Sequence, residues 1–334
     1  MTTSRSPLPE GAVEHSYHLE GVRLHAVEMG TGPVVLLVHG FPESWYSWRH
    51  QLPALAAAGY RAIAIDVRGY GRSSHPREVE EYRMVRLVAD NVRLAEAVGA
   101  ERVVAVGHDW GAPIAWSSCL LRPDLFDALV LVSVPYTPFG HRAPTEAFAA
   151  LAGPDHEFYM NYFQRPGRVE AEFEEDARGW LGGFYLGASG DAPSDLEPFW
   201  TIPHGRRQRD LLPPLPEGGL DLPWMSSEDF EYYVGEFERT GIAGGLNRYR
   251  NLDRDWEDLA SLRGRPITVP SLFIGGEKDG PTVWGASAIA RFAETLPDCR
   301  GSHILAGSGH WIQQERPEEV NRLLVGFLTE VRPA

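Results

Sequence analysis

Short unbroken apolar runs recur along the chain, separated by longer stretches with helical spacing. Val34–Val38, Arg61–Ile65, Val103–Val106, Leu129–Ser133, Thr268–Ile274 and His303–Leu305 each read as a strand buried on both faces. Ahead of most of them, His15–Leu19 and Val22–Glu28 flank Glu20-Gly21 and read as an antiparallel hairpin. Helix-compatible stretches fall between and after the strands, at Trp48–Ala58, Met84–Val98, Ala112–Leu121, Gly285–Thr295 and Pro317–Val331. This alternation predicts an α/β fold with a mostly parallel, doubly wound sheet flanked by helices.

The rhythm stops after Val134-Pro135 and resumes at Ile267. Between them lies an aromatic-, Gly- and Pro-rich stretch with helical patches at Glu170–Leu181 and Ser227–Arg239. Ligands of open α/β sheets bind at the carboxyl ends of the strands, so an insertion leaving from such an end would roof the site. The expected organisation is a first core part over 1–137, a mainly helical cap over 138–256 and a second core part over 257–334.

Composition narrows the class. A chain of 334 residues fits one large domain with an insertion, and 43% hydrophobic with 23% charged residues is the balance of a soluble protein. The net charge of −15 argues against nucleic acid and anionic membranes as partners. Cys119 and Cys299 have no metal-type spacing, and such low cysteine use suits a reducing cytoplasm. The N-terminus lacks the apolar core of a signal peptide, and no run approaches the ~18 apolar residues of a membrane-spanning helix. A cytoplasmic protein without metal or cofactor is expected.

The chemistry centres on Asp109. The run Val103–Val106 ends in Gly107-His108-Asp109-Trp110-Gly111, a Gly-x-Asp-x-Gly where a nucleophile elbow would carry serine. A serine attacking a saturated carbon would leave an ether that water cannot readily cleave. An aspartate leaves an ester, which water opens at the aspartate's own carbonyl carbon. Asp109 therefore points to an alkyl electrophile such as an epoxide or halide. Asp279 and His310 follow the next-to-last and last expected strands, giving the chain order nucleophile, acid, histidine. His310 is the expected general base, a neutral imidazole near neutral pH, and Asp279 its orienting acid. Glu277 is the weaker rival for the acid. The loop after Ser133, Val134-Pro135-Tyr136-Thr137-Pro138, carries no carboxylate. His39-Gly40-Phe41-Pro42 follows Val34–Val38 and nominates the backbone amides of Phe41 and Trp110 as an oxyanion hole. Phe41-Pro42 is a candidate cis bond. His39 and His108 read as braces, and the remaining histidines as surface residues.

Three motifs carry a resemblance: His39-Gly40-Phe41-Pro42-Glu43-Ser44-Trp45-Tyr46-Ser47-Trp48-Arg49, Asp66-Val67-Arg68-Gly69-Tyr70-Gly71-Arg72-Ser73, and Gly107-His108-Asp109-Trp110-Gly111. The chain resembles the α/β-hydrolase-fold epoxide hydrolases of the soluble type from about Val22 to Leu328. The resemblance implies two cap tyrosines that hydrogen-bond the epoxide oxygen and protonate the leaving alkoxide. By position in Phe158–Gly167 and Leu246–Asn251 these are Tyr159 and Tyr249, with Tyr162 a near alternative for the first. Phe41, Trp110, Trp45 and Tyr162 are the candidate substrate-binding residues. An alkoxide is too basic to leave unprotonated, and a phenol with a pKa of about 10 can supply the proton. A halide needs none. The expected activity is thus addition of water to a small apolar epoxide to give a vicinal diol, an ether-bond hydrolysis through an Asp ester. The alternatives are a haloalkane or haloacid dehalogenase with the same nucleophile and a non-catalytic small-molecule receptor of this fold.

Overall fold

The computed structural model describes residues 8–216 and 219–334. Ten strands are found among them: β1 (Val13–Leu19), β2 (Val22–Met29), β3 (Val34–Val38), β4 (Arg61–Ile65), β5 (Val103–His108), β6 (Phe126–Val132), β7 (His156–Phe158), β8 (Thr201–Pro203), β9 (Ser271–Gly276) and β10 (Cys299–Leu305). Eight of them form one sheet in the order β1-β2-β4-β3-β5-β6-β9-β10. The β1–β2 and β2–β4 pairs are antiparallel, and every other pair is parallel. β3, β5 and β9, apolar but for His108 and Ser271, are wholly buried because helices cover both faces. Among the covering helices, Gly111–Leu121 is apolar nearly all round and buried, whereas Met84–Ala97 and Pro317–Val331 bury one stripe.

The edges depart from the sequence reading. β10 starts four residues before the expected His303, at Cys299, because as an edge strand it alternates exposed and half-buried positions instead of presenting an apolar run. β9 starts at Ser271, not Thr268, since Pro270 has no amide to give to a ladder. The helix expected over Trp48–Ala58 is a 3₁₀ turn, Trp45–Trp48, followed by Gln51–Ala57. Gly285–Thr295 is two short helices, Ala286–Ile289 and Phe292–Thr295.

Between β6 and β9 the chain leaves the sheet. Among its described residues this segment holds seven α-helices, Pro144–Ala152, Tyr159–Tyr162, Arg168–Glu175, Ala177–Ala188, Ser227–Thr240, Ala243–Tyr249 and Leu252–Asp258, together with the small antiparallel pair β7–β8. The helix expected over Glu170–Leu181 breaks at Asp176, whose side chain accepts from the Gly179 amide at 2.8 Å and so starts a second helix. No helix among the described residues is long and apolar enough to cross a membrane. Because β3, β5, β6, β9 and β10 are parallel, the loops that follow them open at one edge of the sheet, where the chemistry-bearing residues gather.

Candidate active site

Asp109 stands directly after β5 with φ of +50°, and helix Gly111–Leu121 begins two residues later. A non-glycine residue in this region is strained by roughly 1–3 kcal/mol. The strain persists because the flanking backbone leaves no alternative. A methyl on Gly107 would overlap the Gly111 carbonyl, and one on Gly111 would overlap the Val38 carbonyl. Asp109 Oδ1 accepts from the Phe41 amide at 2.7 Å. The Phe41-Pro42 bond is cis, as the sequence suggested. Trp110, the other expected oxyanion donor, is the N-cap residue of the elbow helix.

His310 is placed between two carboxylates. Its Nδ1 is 2.8 Å from Asp279 Oδ1, and its Nε2 is 3.5 Å from Asp109 Oδ2. Asp279 is wholly buried, and its Oδ2 accepts from Ser133 Oγ at 2.8 Å and from Thr282 Oγ1 at 2.7 Å. Ser133 Oγ also lies 3.1 Å from His310 Nδ1, so one hydroxyl touches both residues. Sequence reasoning looked for a carboxylate just past this point and passed over Ser133. Its signal is a φ of +73°, which no sequence pattern carries. Asp279 N-caps helix Gly280–Trp284, with proline in the first turn where its missing amide costs nothing. Glu277 instead accepts from the Gly307 amide at 2.8 Å, on an exposed loop.

The charges follow from this geometry. Burial opposes a charge on His310, but Asp279 and Asp109 outweigh it and raise its pKa to about 10. Burial likewise works against the Asp109 carboxylate, yet the His310 hydrogen bond and charge, with help from His108 and the Phe41 amide, hold its pKa below the ordinary value. Both shifts favour an Asp109 carboxylate beside a His310 imidazolium.

Aromatic side chains from the inserted segment close over Asp109. The Tyr249 ring meets Phe41 at 5.2 Å, Trp110 at 5.1 Å and Tyr159 at 6.0 Å between centroids. Burial pushes the Tyr159 hydroxyl well above its ordinary pKa, with the Asp109 and Asp279 charges adding to it. Tyr249 is raised in the same way, by burial first and then by Tyr159 and Asp109. Both are neutral phenols facing the Asp109 charge. Tyr162 is not part of this cluster. Its hydroxyl is bonded to Glu172, and the Arg168 guanidinium lies 3.4 Å over its ring. Trp45 is also placed elsewhere. Its indole N–H donates to Tyr232 at 2.9 Å and its ring packs on Tyr46 and Tyr232, so it joins the core to helix Ser227–Thr240. These contacts commit the Tyr162 hydroxyl and the Trp45 indole N–H to partners within the protein.

Arg248 was missed. It is buried with its guanidinium 4.6 Å over the Trp110 ring, pairs with Asp255, and donates to the Tyr82 carbonyl at 2.7 Å. Asp255 in turn accepts from the Met84 amide at 2.7 Å. The helix bearing Tyr249 is thus fastened to the core beside it. His39 and His108 are braces. His39 Nδ1 donates to the Gly40 carbonyl at 2.8 Å while Nε2 accepts from the Val67 amide at 3.0 Å. His108 Nε2 donates to the His310 carbonyl and its Nδ1 faces Glu43, each at 2.8 Å. His25, expected at the surface, is buried at 2.8 Å from Asp66. Among the described residues no cluster of three or more His, Cys, Asp or Glu side chains could hold a metal ion.

Residues 33–317 match a family model described as the alpha/beta hydrolase fold. The chain is 46% identical to epoxide hydrolase B of Mycobacterium tuberculosis, over 96% of this chain and 99% of that protein. Among solved structures, it superposes with a TM-score of 0.93 and 57% identity on an epoxide hydrolase from an endophytic Streptomyces, covering 97% of both chains. Epoxide hydrolase A from Mycobacterium thermoresistibile gives a TM-score of 0.89 at 42% identity, covering 97% of this chain and 100% of that one.

Proposed function

This chain belongs to the α/β-hydrolase-fold epoxide hydrolases, and from that premise we propose which of its residues carry each step in converting an apolar epoxide and water to a vicinal diol. The observation that carries the assignment is one buried cluster. Asp109 is held by the Phe41 amide, faced by His310 and overlooked by two neutral phenols. Residues 138–256 act as the cap, which brings Tyr159 and Tyr249 to a nucleophile on the core.

Tyr159 and Tyr249 hydrogen-bond the epoxide oxygen. The Asp109 carboxylate attacks a ring carbon, the C–O bond breaks, and one phenol gives its proton to the alkoxide. The Asp109 ester is uncharged, so His310 loses one of the two carboxylates that held its proton. The imidazolium returns that proton to the tyrosinate and becomes the base. Water then attacks the Asp109 carbonyl carbon as His310 takes its proton. The Phe41 and Trp110 amides stabilise the oxyanion, and Asp279 steadies the imidazolium. On collapse the C–O bond to the diol breaks, the leaving oxygen takes the proton remaining on the added hydroxyl, and the Asp109 carboxylate and His310 imidazolium are restored.

A recess of about 540 Å³ beside Trp110 is lined by apolar side chains including Pro113, Trp116, Phe148, Met160 and Leu252, which supports an apolar substituent on the epoxide. Trp110 is the one proposed site residue in that lining, and a second recess of about 730 Å³, bordered by Arg49, Asp191 and Glu318, has none. Cys119 and Cys299 are both unpaired, which supports work in a reducing cytoplasm. Single turnover in ¹⁸O-labelled water tests the scheme. The label enters Asp109, and label in the diol with none in Asp109 would overturn the ester mechanism.

A further inference from the structure

The backbone around His310 is held more closely than its side-chain role requires. Its amide donates to the Ala188 carbonyl at 2.8 Å, and its carbonyl accepts from His108 at 2.8 Å. The amides on either side both go to one carboxylate. Gly309 donates to Glu315 Oε2 at 2.7 Å and Trp311 donates to Oε1 at 3.1 Å. A third amide, Gly190 at the end of the cap helix Ala177–Ala188, donates to Oε2 at 3.1 Å. Glu315 is buried at 9% exposure. A buried carboxylate is costly to desolvate unless hydrogen bonds replace its water, and a side chain that only filled space here would be apolar.

The cap strand of chain and the base loop also touch directly. A methyl on Gly309 would overlap the Gly190 amide, and one on Gly190 would overlap the Gly307 carbonyl and the Glu315 carboxylate. Lys278, one residue before the acid, donates to the Gly190 carbonyl at 2.7 Å. One carboxylate therefore reads two things at once, the position of the base and the docking of the cap.

We propose that Glu315 is a positioning residue for ester hydrolysis, fixing His310 through the amides on both sides of it and tying that hold to the cap at Gly190. The proposal rests on the epoxide-hydrolase reading above. It also predicts which half of the reaction depends on the residue. Asp109 is set by the elbow and the Phe41 amide, and the Tyr249 helix is fastened through Arg248 and Asp255. Tyr159 is anchored by its amide to the Trp200 carbonyl at 2.8 Å. Glu315 touches none of these directly, so its loss falls first on the base and slows ester hydrolysis far more than alkylation.

Glu315→Gln is nearly isosteric but turns one acceptor into a donor, which opposes one or two of the three amides. Quenched-flow mass spectrometry of the whole protein with a styrene-type epoxide reads the rise and decay of the Asp109 ester. The rise stays within about twofold of the unmodified enzyme while the decay slows by ~10- to 100-fold, the scale of a small misplacement of a catalytic group. Rate constants, unlike amplitudes, do not depend on the folded fraction. Glu315→Asp, which keeps the charge but cannot reach all three amides, gives the same pattern if the glutamine variant is not recovered folded. Equal slowing of both phases, or no slowing of the decay, overturns the proposal. Absence of any ester in the unmodified enzyme sinks the functional reading itself, a separate outcome.

Discussion

His310 Nε2 stands 3.5 Å from Asp109 Oδ2, and the two groups stabilise each other's charge in the resting site. In the proposed scheme the step that makes the ester removes the Asp109 charge, so forming the intermediate releases the base that will destroy it. Ring opening needs Asp109 ionised, and its acid limb therefore falls below the ordinary aspartate value of 3.8. Ester hydrolysis needs neutral His310, whose ordinary pKa is 6.5. Single-turnover rates against pH should give acid limbs separated by more than about 2 units, with hydrolysis the higher. Coincident limbs would show that His310 does not change charge between the steps.

The same pairing makes a statement about stability. A histidine raised to about 10 contributes stability that is complete below its ordinary value of 6.5 and lost as pH climbs through about 10. Asp109, lowered from 3.8, contributes stability that is present above that value and lost as pH falls through its depressed pKa. Asp109→Asn should abolish diol formation and, observed by imidazole NMR, lower the His310 pKa from about 10. An unchanged His310 titration in a variant shown by mass to be undeamidated would remove the electrostatic link.

Tyr159→Phe and Tyr249→Phe separate the cap phenols from Tyr162. The double change should slow epoxide opening by ~10²- to 10⁴-fold, the usual worth of a positioned acid. Tyr162→Phe should leave the opening rate nearly unchanged but destabilise the fold by about 1–3 kcal/mol, because Glu172 loses its buried partner. Urea unfolding and pre-steady-state rates on the three proteins decide it. A loss of alkylation in Tyr162→Phe equal to that of the pair would reverse the assignment.

The parts of this site that were legible in the sequence are those with a local signature. Asp109 sits in a turn that demands glycines at fixed offsets, and Asp279 and His310 follow strands, so chain order alone grouped them. The sheet was legible where strands are buried on both faces, as in β3, and blurred where one edge is wet, as in β10. What stayed hidden depends on tertiary approach. Arg248 looks like any helical arginine until Trp110 lies under it, and Glu315 like any surface glutamate until three amides converge on it. Trp45, nominated by its nearness in sequence to the oxyanion loop, gives its indole N–H to Tyr232, a partner no local pattern indicates.

Gly40→Ala tests how tightly the oxyanion loop is set against the nucleophile. A methyl there would overlap Cβ and Oδ1 of Asp109. Either the loop retreats and the 2.7 Å Phe41 amide bond is lost, or Asp109 turns away from His310. Activity should fall by ~10²-fold or more, the usual cost of removing one oxyanion donor. Folded protein of native thermal stability with full activity would mean that the loop is looser than these contacts require.

Ser133 combines a φ of +73° with a hydroxyl that reaches both Asp279 at 2.8 Å and His310 at 3.1 Å. Two substitutions divide strain from hydrogen bonding. Ser133→Ala keeps the strained backbone and removes the hydroxyl, while Ser133→Gly removes the hydroxyl and relaxes the backbone by about 1 kcal/mol. If the hydroxyl matters to the base, both variants should slow ester decay by a similar factor of roughly 10, although glycine is the more stable protein. Thermal unfolding and ester decay rates measured side by side give the answer. Normal decay in alanine but slower decay in glycine would instead place the role of Ser133 in the backbone, with the strained conformation alone holding this loop against Asp279 and His310.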